Sequence, residues 1–248
     1  MRSSLKTEHW IIAINAIVFL LGNILSSLGL YSLSEPLSLS FSFLNLLTHP
    51  WTLITYMFTH IQLGHVFWNL LLLYSNLRFF YTFFNSKQLW IIYISSGLAG
   101  GLAVLPLGWF TQGVVLGASA SVLGMMALIA SFAPNYPVNF WGLFEMRYKY
   151  LFALVFVTST VIDLNQNAAG KLTHLGGALW GLLYAYYLKK GLPFKLKKSN
   201  YLRVVHRSSE ERLNLLLDKI SKNGYSSLSK KEREELHQLS KQIGRAHV

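Results

Sequence analysis

The chain has 248 residues, of which 52% are hydrophobic and only 13% are charged, about half the charged share of an ordinary soluble protein. There are no cysteines, which excludes disulfide scaffolds, thiolate metal sites and thiol nucleophiles. The net charge of +12 is unevenly distributed, because residues 1–188 hold seven Lys or Arg whereas residues 189–248 hold fifteen. The sequence therefore consists of a nearly uncharged body and a basic tail.

Six apolar stretches of the body are candidates for membrane helices. Residues 10–33 carry no charge over 24 positions, which is long enough to cross a hydrocarbon core of about 30 Å. Further apolar stretches lie at residues 64–84, 88–107, 116–133, 146–162 and 172–188. Because a helix satisfies its own backbone hydrogen bonds in lipid, we predict an all-α fold. It is a bundle of six transmembrane helices with a small cytoplasmic helical tail.

The basic residues of the body orient this bundle. Six of the seven fall in segments that share one side of the membrane if the N-terminus is cytoplasmic, and Lys171 lies on the other side. The six are Arg2, Lys6, Arg78, Lys87, Arg147 and Lys149. Because basic residues favour the cytoplasmic side, we expect both termini to be cytoplasmic. We also expect a multi-pass protein of a bacterial inner membrane.

The chain divides into three predicted regions. They are a short cytoplasmic N-terminus at residues 1–9, the membrane domain at residues 10–190 and the basic tail at residues 191–248. Within the tail, Ser208–Glu211 and Ser229–Glu232 each fit a Ser-x-x-Glu capping box, and Asn223-Gly224 between them is typical of a helix end. We therefore predict a helical hairpin. Its basic charge is consistent with binding to anionic lipid headgroups. It is equally consistent with a solvated hairpin that has no dedicated partner. No nucleic-acid recognition pattern accompanies the charge.

Polar side chains inside the predicted spans mark the candidate site. A full charge at such a position costs roughly 2.5–3.5 kcal/mol, so polar groups there suggest function. His65 and Asn69 lie four residues apart on one face of the second span. Ser119 lies at the start of the fourth span and His174 near the start of the sixth. Since even-numbered spans run inwards from the outer surface, these groups share one layer just below that surface.

This layer contains the parts of a nucleophilic site. Ser119 is the candidate nucleophile, and His174 is its candidate general base. His65 and Asn69 are candidate donors to an oxyanion, together with the free N–H groups at the helix start. We expect no cofactor. We also expect no metal, because His60 and His65 are five residues apart rather than four and no carboxylate accompanies them.

The motif around the serine resembles that of the rhomboid family of intramembrane serine proteases. The family's nucleophile motif is Gly-x-Ser-Gly with another glycine five residues after the serine, and Gly117, Ser119 and Gly124 match it. Two departures are Ala120 in place of the second glycine and Leu123 at a position that is often Tyr or Phe. Alanine keeps the helix face small, so we expect activity to survive.

Two further motifs carry the same resemblance. The family's His-x-x-x-Asn is similar to His65 and Asn69, with His60 as the additional histidine five residues earlier. Its His-x-x-Gly-x-x-x-Gly is similar to His174, Gly177 and Gly181. The Trp-Arg pair that is common in the family's first outer loop is not found in residues 34–50.

The resemblance covers residues 10–190 and implies a serine endopeptidase. Such an enzyme hydrolyses peptide bonds of transmembrane protein substrates near the outer membrane surface, here by a Ser119–His174 dyad. Its oxyanion hole comprises His65, Asn69 and the Ser119 backbone N–H. Supporting positions implied by the motifs are His60, Gly117, Ala120, Leu123, Gly177 and Gly181.

Two other functional classes are consistent with a polytopic membrane protein. A catalytically dead rhomboid relative acts as a chaperone or adaptor, but such relatives usually lose the serine or the histidine, and both are present here. A transporter or channel predicts internal repeats and broken helices near the membrane midplane. The sequence has no convincing repeat and no charge near the centre of a predicted span.

Overall fold

The computed structural model describes residues 7–30, 32–140, 144–162, 168–190 and 200–244. The chain forms two compact units, residues 1–195 and residues 196–248. Most of the predicted N-terminal region and residues 191–199 at the start of the predicted tail lie outside the described residues.

The first unit is built mainly of helices. In chain order they are α1 (Thr7–Ser27), α2 (Ser34–Leu37), α3 (Phe43–Thr48), α4 (Thr52–Thr55), α5 (Leu63–Phe83), α6 (Ser86–Val104), α7 (Ser119–Phe132), α8 (Tyr148–Thr160) and α9 (Ala168–Lys189). The helices α1 and α5 to α9 overlap the six predicted spans, one helix to each. The mainly helical architecture agrees with the predicted all-α fold.

Within the described residues, two stretches meet the length and hydropathy of a membrane span. They are His9–Ser27, with a mean hydropathy of 1.9, and Ser86–Trp109, with a mean hydropathy of 1.7. Helix α7 is apolar but has only 14 residues. The count of six spans therefore stays a prediction. Side chains on α1 such as Ile17, Leu20 and Ile24 are about half exposed, as expected of a helix that faces lipid.

Two short antiparallel strand pairs join loops of the first unit, and the sequence pattern gave no indication of them. Strand β1 (Leu39–Ser40) pairs with β2 (Val114–Val115), and β3 (Pro137–Phe140) pairs with β4 (Phe144–Arg147). Proline is tolerated as the first residue of β3 because its missing N–H is least needed there. The first pair connects the loop after α1 to the segment that precedes α7.

Helix α7 lies at the centre of the bundle. It is buried continuously from Ala120 to Ala130, as expected of a helix that is apolar on all sides. A Cβ atom on Gly100 of α6 would lie 2.6 Å from the Ala120 Cβ, and one on Gly177 of α9 would lie 2.9 Å from the Ala120 Cα. These glycines therefore let three helices approach closely, as small residues do between membrane helices.

The second unit contains α10 (Asn200–Asn223), a 3₁₀ turn (Tyr225–Ser227) and α11 (Lys230–Gly244). The first predicted capping box is wrong as a helix start, because α10 begins at Asn200 and runs through Ser208. No Gly or Pro separates these two positions, so nothing stops the helix from extending towards its N-terminus. Helix α10 ends before Gly224, whose φ of +77° suits glycine.

The second capping box forms as predicted. Ser229 Oγ accepts a hydrogen bond from the Glu232 N–H at 3.3 Å, and the Glu232 carboxylate accepts one from the Ser229 N–H at 2.8 Å. The Lys219 ammonium also donates to this carboxylate at 2.8 Å. The hydrogen bond from Lys219, followed by those from Ser229, lowers the pKa of Glu232 to about 2.

Candidate active site

The serine and the histidine singled out in the sequence meet at the first turn of α7. His174 of α9 places its Nε2 atom 2.8 Å from Ser119 Oγ. Its Nδ1 atom lies 3.2 Å from the backbone carbonyl oxygen of Ser159 on α8. A carbonyl oxygen only accepts hydrogen bonds, so Nδ1 carries the proton and Nε2 offers its lone pair to the serine hydroxyl. This is the arrangement that a nucleophile and its general base require.

Close helix packing makes this contact reachable. A Cβ atom on Gly177 would collide with the Ala120 backbone, and one on Gly181 would lie 2.8 Å from the carbonyl carbon of Gly124. Gly177 and Gly181 follow His174 by three and seven residues, on the same face of α9. Because these glycines have no side chain, α9 packs close enough to α7 for the imidazole to reach Ser119.

The segment before the serine is fixed by two hydrogen bonds that its backbone N–H groups donate. The Gly117 N–H donates to the Tyr56 carbonyl oxygen at 2.8 Å, and the Ala118 N–H donates to His60 Nε2 at 3.3 Å. Gly117 has a φ of +115°, which disfavours any side chain. A Cβ there would also lie 2.6 Å from Cε1 of His65. Gly117 is therefore required both by its backbone conformation and by the approach of the histidine ring.

His65 and Asn69 lie on the wall of a cavity that contains the dyad. The buried Asn69 amide donates to the His65 carbonyl oxygen of its own helix at 2.9 Å. One of its two amide hydrogens is engaged in this way, and the other remains to be donated. The rings of His60 and His65 meet edge to face, with centroids 5.0 Å apart.

The cavity has a volume of about 170 Å³ and opens between α5, α7, α8 and α9. It is lined by His65, Trp68, Asn69, Leu72, Ser119, Val122, Leu123, Val155, Ser159 and His174. Leu123 therefore lines the same cavity as the dyad. The lining is mostly apolar with a few convergent polar groups, which is typical of a substrate site.

Sequence reasoning missed two contributions to this site. The first is the Ser159 carbonyl, since a backbone group leaves no mark in the residue type. The second is Gly100 of α6, which leaves the space that the Ala120 methyl group occupies. This space explains how alanine fits where the rhomboid motif has glycine.

Family models match most of the chain. A model described as Rhomboid domain matches residues 47–191, a range that includes both dyad residues and begins after α1. A model of a family of unknown function (DUF6576) matches residues 203–242, within the second unit. No curated protein matches the chain. The chain therefore belongs to the rhomboid family of integral membrane proteins, the intramembrane serine proteases that act on transmembrane substrates within the lipid bilayer.

Proposed function

We propose that this chain is an active intramembrane serine endopeptidase in which Ser119 is the nucleophile and His174 is the general base. The single observation that carries the proposal is the 2.8 Å separation of Ser119 Oγ and His174 Nε2. A serine hydroxyl is a weak nucleophile until a neighbouring base accepts its proton.

The reaction proceeds in two halves. Ser119 Oγ attacks the scissile carbonyl carbon while its proton moves to His174 Nε2, which then passes that proton to the leaving amine as the peptide C–N bond breaks. A water molecule attacks the resulting ester, gives a proton to Nε2, and the proton returns to Ser119 as the acid product leaves. The Ser159 carbonyl keeps Nδ1 protonated and stabilises the imidazolium that forms in each half.

The developing oxyanion is stabilised by His65, the free amide hydrogen of Asn69 and the Ser119 backbone N–H. The last of these belongs to the first turn of α7, where N–H groups lack helical partners and the helix dipole favours negative charge. Donors in a site shielded from water stabilise a transition state more strongly than donors in water.

The remaining motif residues support the dyad. His60 and Gly117 shape the segment before Ser119. Gly177 and Gly181 keep α7 and α9 close. Ala120 packs against Gly100 and Gly177 next to the serine, and Leu123 lines the cavity.

The proposed membrane arrangement has six spans, with both termini in the cytoplasm of a bacterial cell and the enzyme in the inner membrane. Its support is the distribution of basic residues. Helix α7 has 14 residues and is therefore only about 21 Å long. It is too short to cross the bilayer alone, which supports a Ser119 recessed below the outer surface, where it meets a transmembrane substrate.

The proposed regions are residues 1–9, the membrane domain at residues 10–190 and the tail at residues 191–248. Together with Lys189 and Lys190, the tail holds fifteen basic and six acidic side chains. Its basic residues follow directly after α9, where a cytoplasmic position places them beside anionic headgroups. No nucleic acid partner is proposed.

The test of the proposed function is cleavage of a single-span membrane protein by the purified enzyme. Wild type should cleave it, and Ser119→Ala should not. Ser121→Ala is the matched control, since Ser121 is fully buried two residues away and should tolerate the loss of its hydroxyl. Substantial cleavage by Ser119→Ala, or its loss in Ser121→Ala alone, would contradict the proposal.

A further inference from the structure

A second cavity lies away from the dyad, where the loop after α1 meets the turn after α6. Strand β1 pairs with β2 here, and the Phe41 N–H donates to the Gly113 carbonyl oxygen at 3.0 Å. A Cβ on Gly108 would lie 2.8 Å from the Phe41 carbonyl carbon. Residues 39–48 and 105–115 therefore form one packed substructure, which we call the loop platform.

The cavity in the loop platform has a volume of about 390 Å³. It is lined by Ser40, Ser42, Asn45, Gly108, Thr111, Gln112, Gly113 and Val114. The sequence has no Asp, Glu, Lys or Arg in residues 36–77 or 88–144, so none of these lining residues carries a charge. Apart from Val114, the lining consists of hydroxyl, amide and backbone groups.

The two serine hydroxyls of this cavity are left with hydrogen atoms to donate, whereas the Thr111 hydroxyl already donates to the Gln112 carbonyl oxygen at 3.3 Å. Ser40 Oγ already accepts from the Ser42 N–H and from Asn45 Nδ2, each at 3.2 Å. Ser42 Oγ already accepts from the Asn45 N–H at 3.4 Å. Their own hydroxyl hydrogens therefore remain available. A group rich in acceptors, such as a phosphodiester or an ester, is complementary to these two hydroxyls.

The residues that neighbour the cavity lining in the chain, which we call the rim, are strongly apolar. Trp109 and Phe110 are 83% and 84% exposed, and Phe43, Leu44 and Leu47 of α3 are 63–70% exposed. Trp109 is also the last residue of the apolar stretch Ser86–Trp109 that qualifies as a membrane span. Exposed aromatic residues at the end of a span mark the boundary between hydrocarbon and headgroups.

We propose that the loop platform binds one phospholipid of the adjacent leaflet. The phosphate and ester oxygens occupy the neutral cavity, where the hydroxyls of Ser40 and Ser42 and the amide of Gln112 donate to them. The acyl chains cover the apolar rim around Trp109 and Phe110. A polar cavity beside an apolar rim matches an amphiphilic ligand. Because the rim continues from the end of a span, the cavity lies at the depth of lipid headgroups. Because the cavity lacks cationic side chains, the site should accept zwitterionic lipid and should be insensitive to salt.

Lipid retention tests the headgroup half of the proposal. The full-length protein is reconstituted in phosphatidylcholine nanodiscs, released into mild detergent and weighed by native mass spectrometry. Gln112→Glu places an anion beside the lipid phosphate and should lower the retained phosphatidylcholine about tenfold, the effect of losing one hydrogen bond to a charged group. Thr48→Glu is the matched control, because this residue of α3 is exposed and does not line the cavity. If Gln112→Glu lowers the thermal midpoint, Gln112→Leu replaces it in the test, because leucine removes the donor without adding charge. Gln112→Leu should likewise retain less phosphatidylcholine than wild type.

Fluorescence tests the apolar half. The emission of Trp109 is the part of the tryptophan fluorescence that Trp109→Phe removes. Phosphatidylcholine with brominated acyl chains should quench this emission. Addition of 0.5 M salt should change neither the quenching nor lipid retention. Equal lipid retention by wild type, Gln112→Glu and Gln112→Leu would overturn the proposal, as would unquenched Trp109 emission. A dimer that forms when lipid is removed and shields Trp109 would assign the rim to a second copy of the chain instead.

Discussion

His174 Nε2 lies 2.8 Å from Ser119 Oγ, although the two residues are 55 positions apart in the chain. The contact joins the first turn of α7 to the first third of α9, and glycines on both helices make it reachable. The opposite nitrogen of the ring faces a backbone carbonyl rather than a carboxylate. The histidine is therefore oriented without an acidic third residue.

The role of a backbone carbonyl in orienting His174 predicts that the side chain of Ser159 is dispensable. Its hydroxyl donates to the Phe156 carbonyl oxygen at 3.4 Å and also lies 3.4 Å from Thr160 Oγ1. We expect Ser159→Ala to keep kcat within about twofold of wild type, whereas His174→Ala should lower it by about 10⁴ or more. Thr160→Val should also have little effect, because Thr160 Oγ1 lies 3.4 Å from Nδ1, farther than the Ser159 carbonyl oxygen at 3.2 Å. A tenfold loss in Ser159→Ala would assign the orienting role to the side chain.

The proposed oxyanion donors should contribute to turnover more than to stability. Loss of one donor typically lowers the rate by about 10²–10³, and we expect losses of this size for Asn69→Ala and His65→Ala. Asn23→Ala is the matched control, because Asn23 makes the same bond to a carbonyl four residues earlier, at 2.9 Å, on exposed α1. Measured kcat and thermal midpoints separate the two effects. Near-normal turnover in both Asn69→Ala and His65→Ala would show that these residues contribute only to helix packing.

The glycines of α9 predict a stability defect. The Cβ of Gly181→Ala would lie 3.0 Å from the Ala127 Cβ and closer still to the Gly124 backbone. Overpacking of this kind costs about 1–3 kcal/mol, so thermal midpoint and activity should both fall. Gly64→Ala on α5 is the control, since nothing lies within 4 Å of its added Cβ and alanine favours helix. A normal midpoint for Gly181→Ala would show that α7 and α9 are not in close contact.

The capping box of α11 predicts a pH dependence for the tail. Glu232 has its pKa lowered from 4.5 to about 2 in the folded hairpin. Its hydrogen bonds should therefore stabilise the hairpin fully above pH 4.5 and be lost as the pH falls towards 2. The Ser229 amide resonance of isotopically labelled full-length protein should follow this titration, and Glu232→Gln should abolish it. A titration midpoint near 4.5 would mean that the box does not form.

The sequence predicted the positions of the long helices because uninterrupted apolar stretches specify them directly. The segment Leu63–Phe83 differs from the predicted second span by one residue at each end. The sequence did not predict β1 and β2, because each strand has two residues and so shows no alternation of apolar and polar positions. The start of α10 was misplaced because a capping box also occurs inside a helix that lacks a breaker before it.

For the candidate site, the sequence identified residue types but not backbone groups. Ser119, His174, His65 and Asn69 were predicted as site residues because polar residues are rare in apolar spans. The Ser159 carbonyl and the space beside Gly100 depend on how α8 and α6 pack, which no single segment encodes. The role of Gly117 could be inferred only in part, since its positive φ became evident in the folded loop.

Labelling by a fluorophosphonate tests the central claim most directly, because this reagent modifies only a serine that a base activates. Mass spectrometry of the digested wild type should locate the label on Ser119. His174→Ala and Ser119→Ala should both remain unlabelled, while Ser121→Ala should react as wild type does. A label on Ser121, or undiminished labelling of Ser119 in His174→Ala, would contradict the proposed dyad.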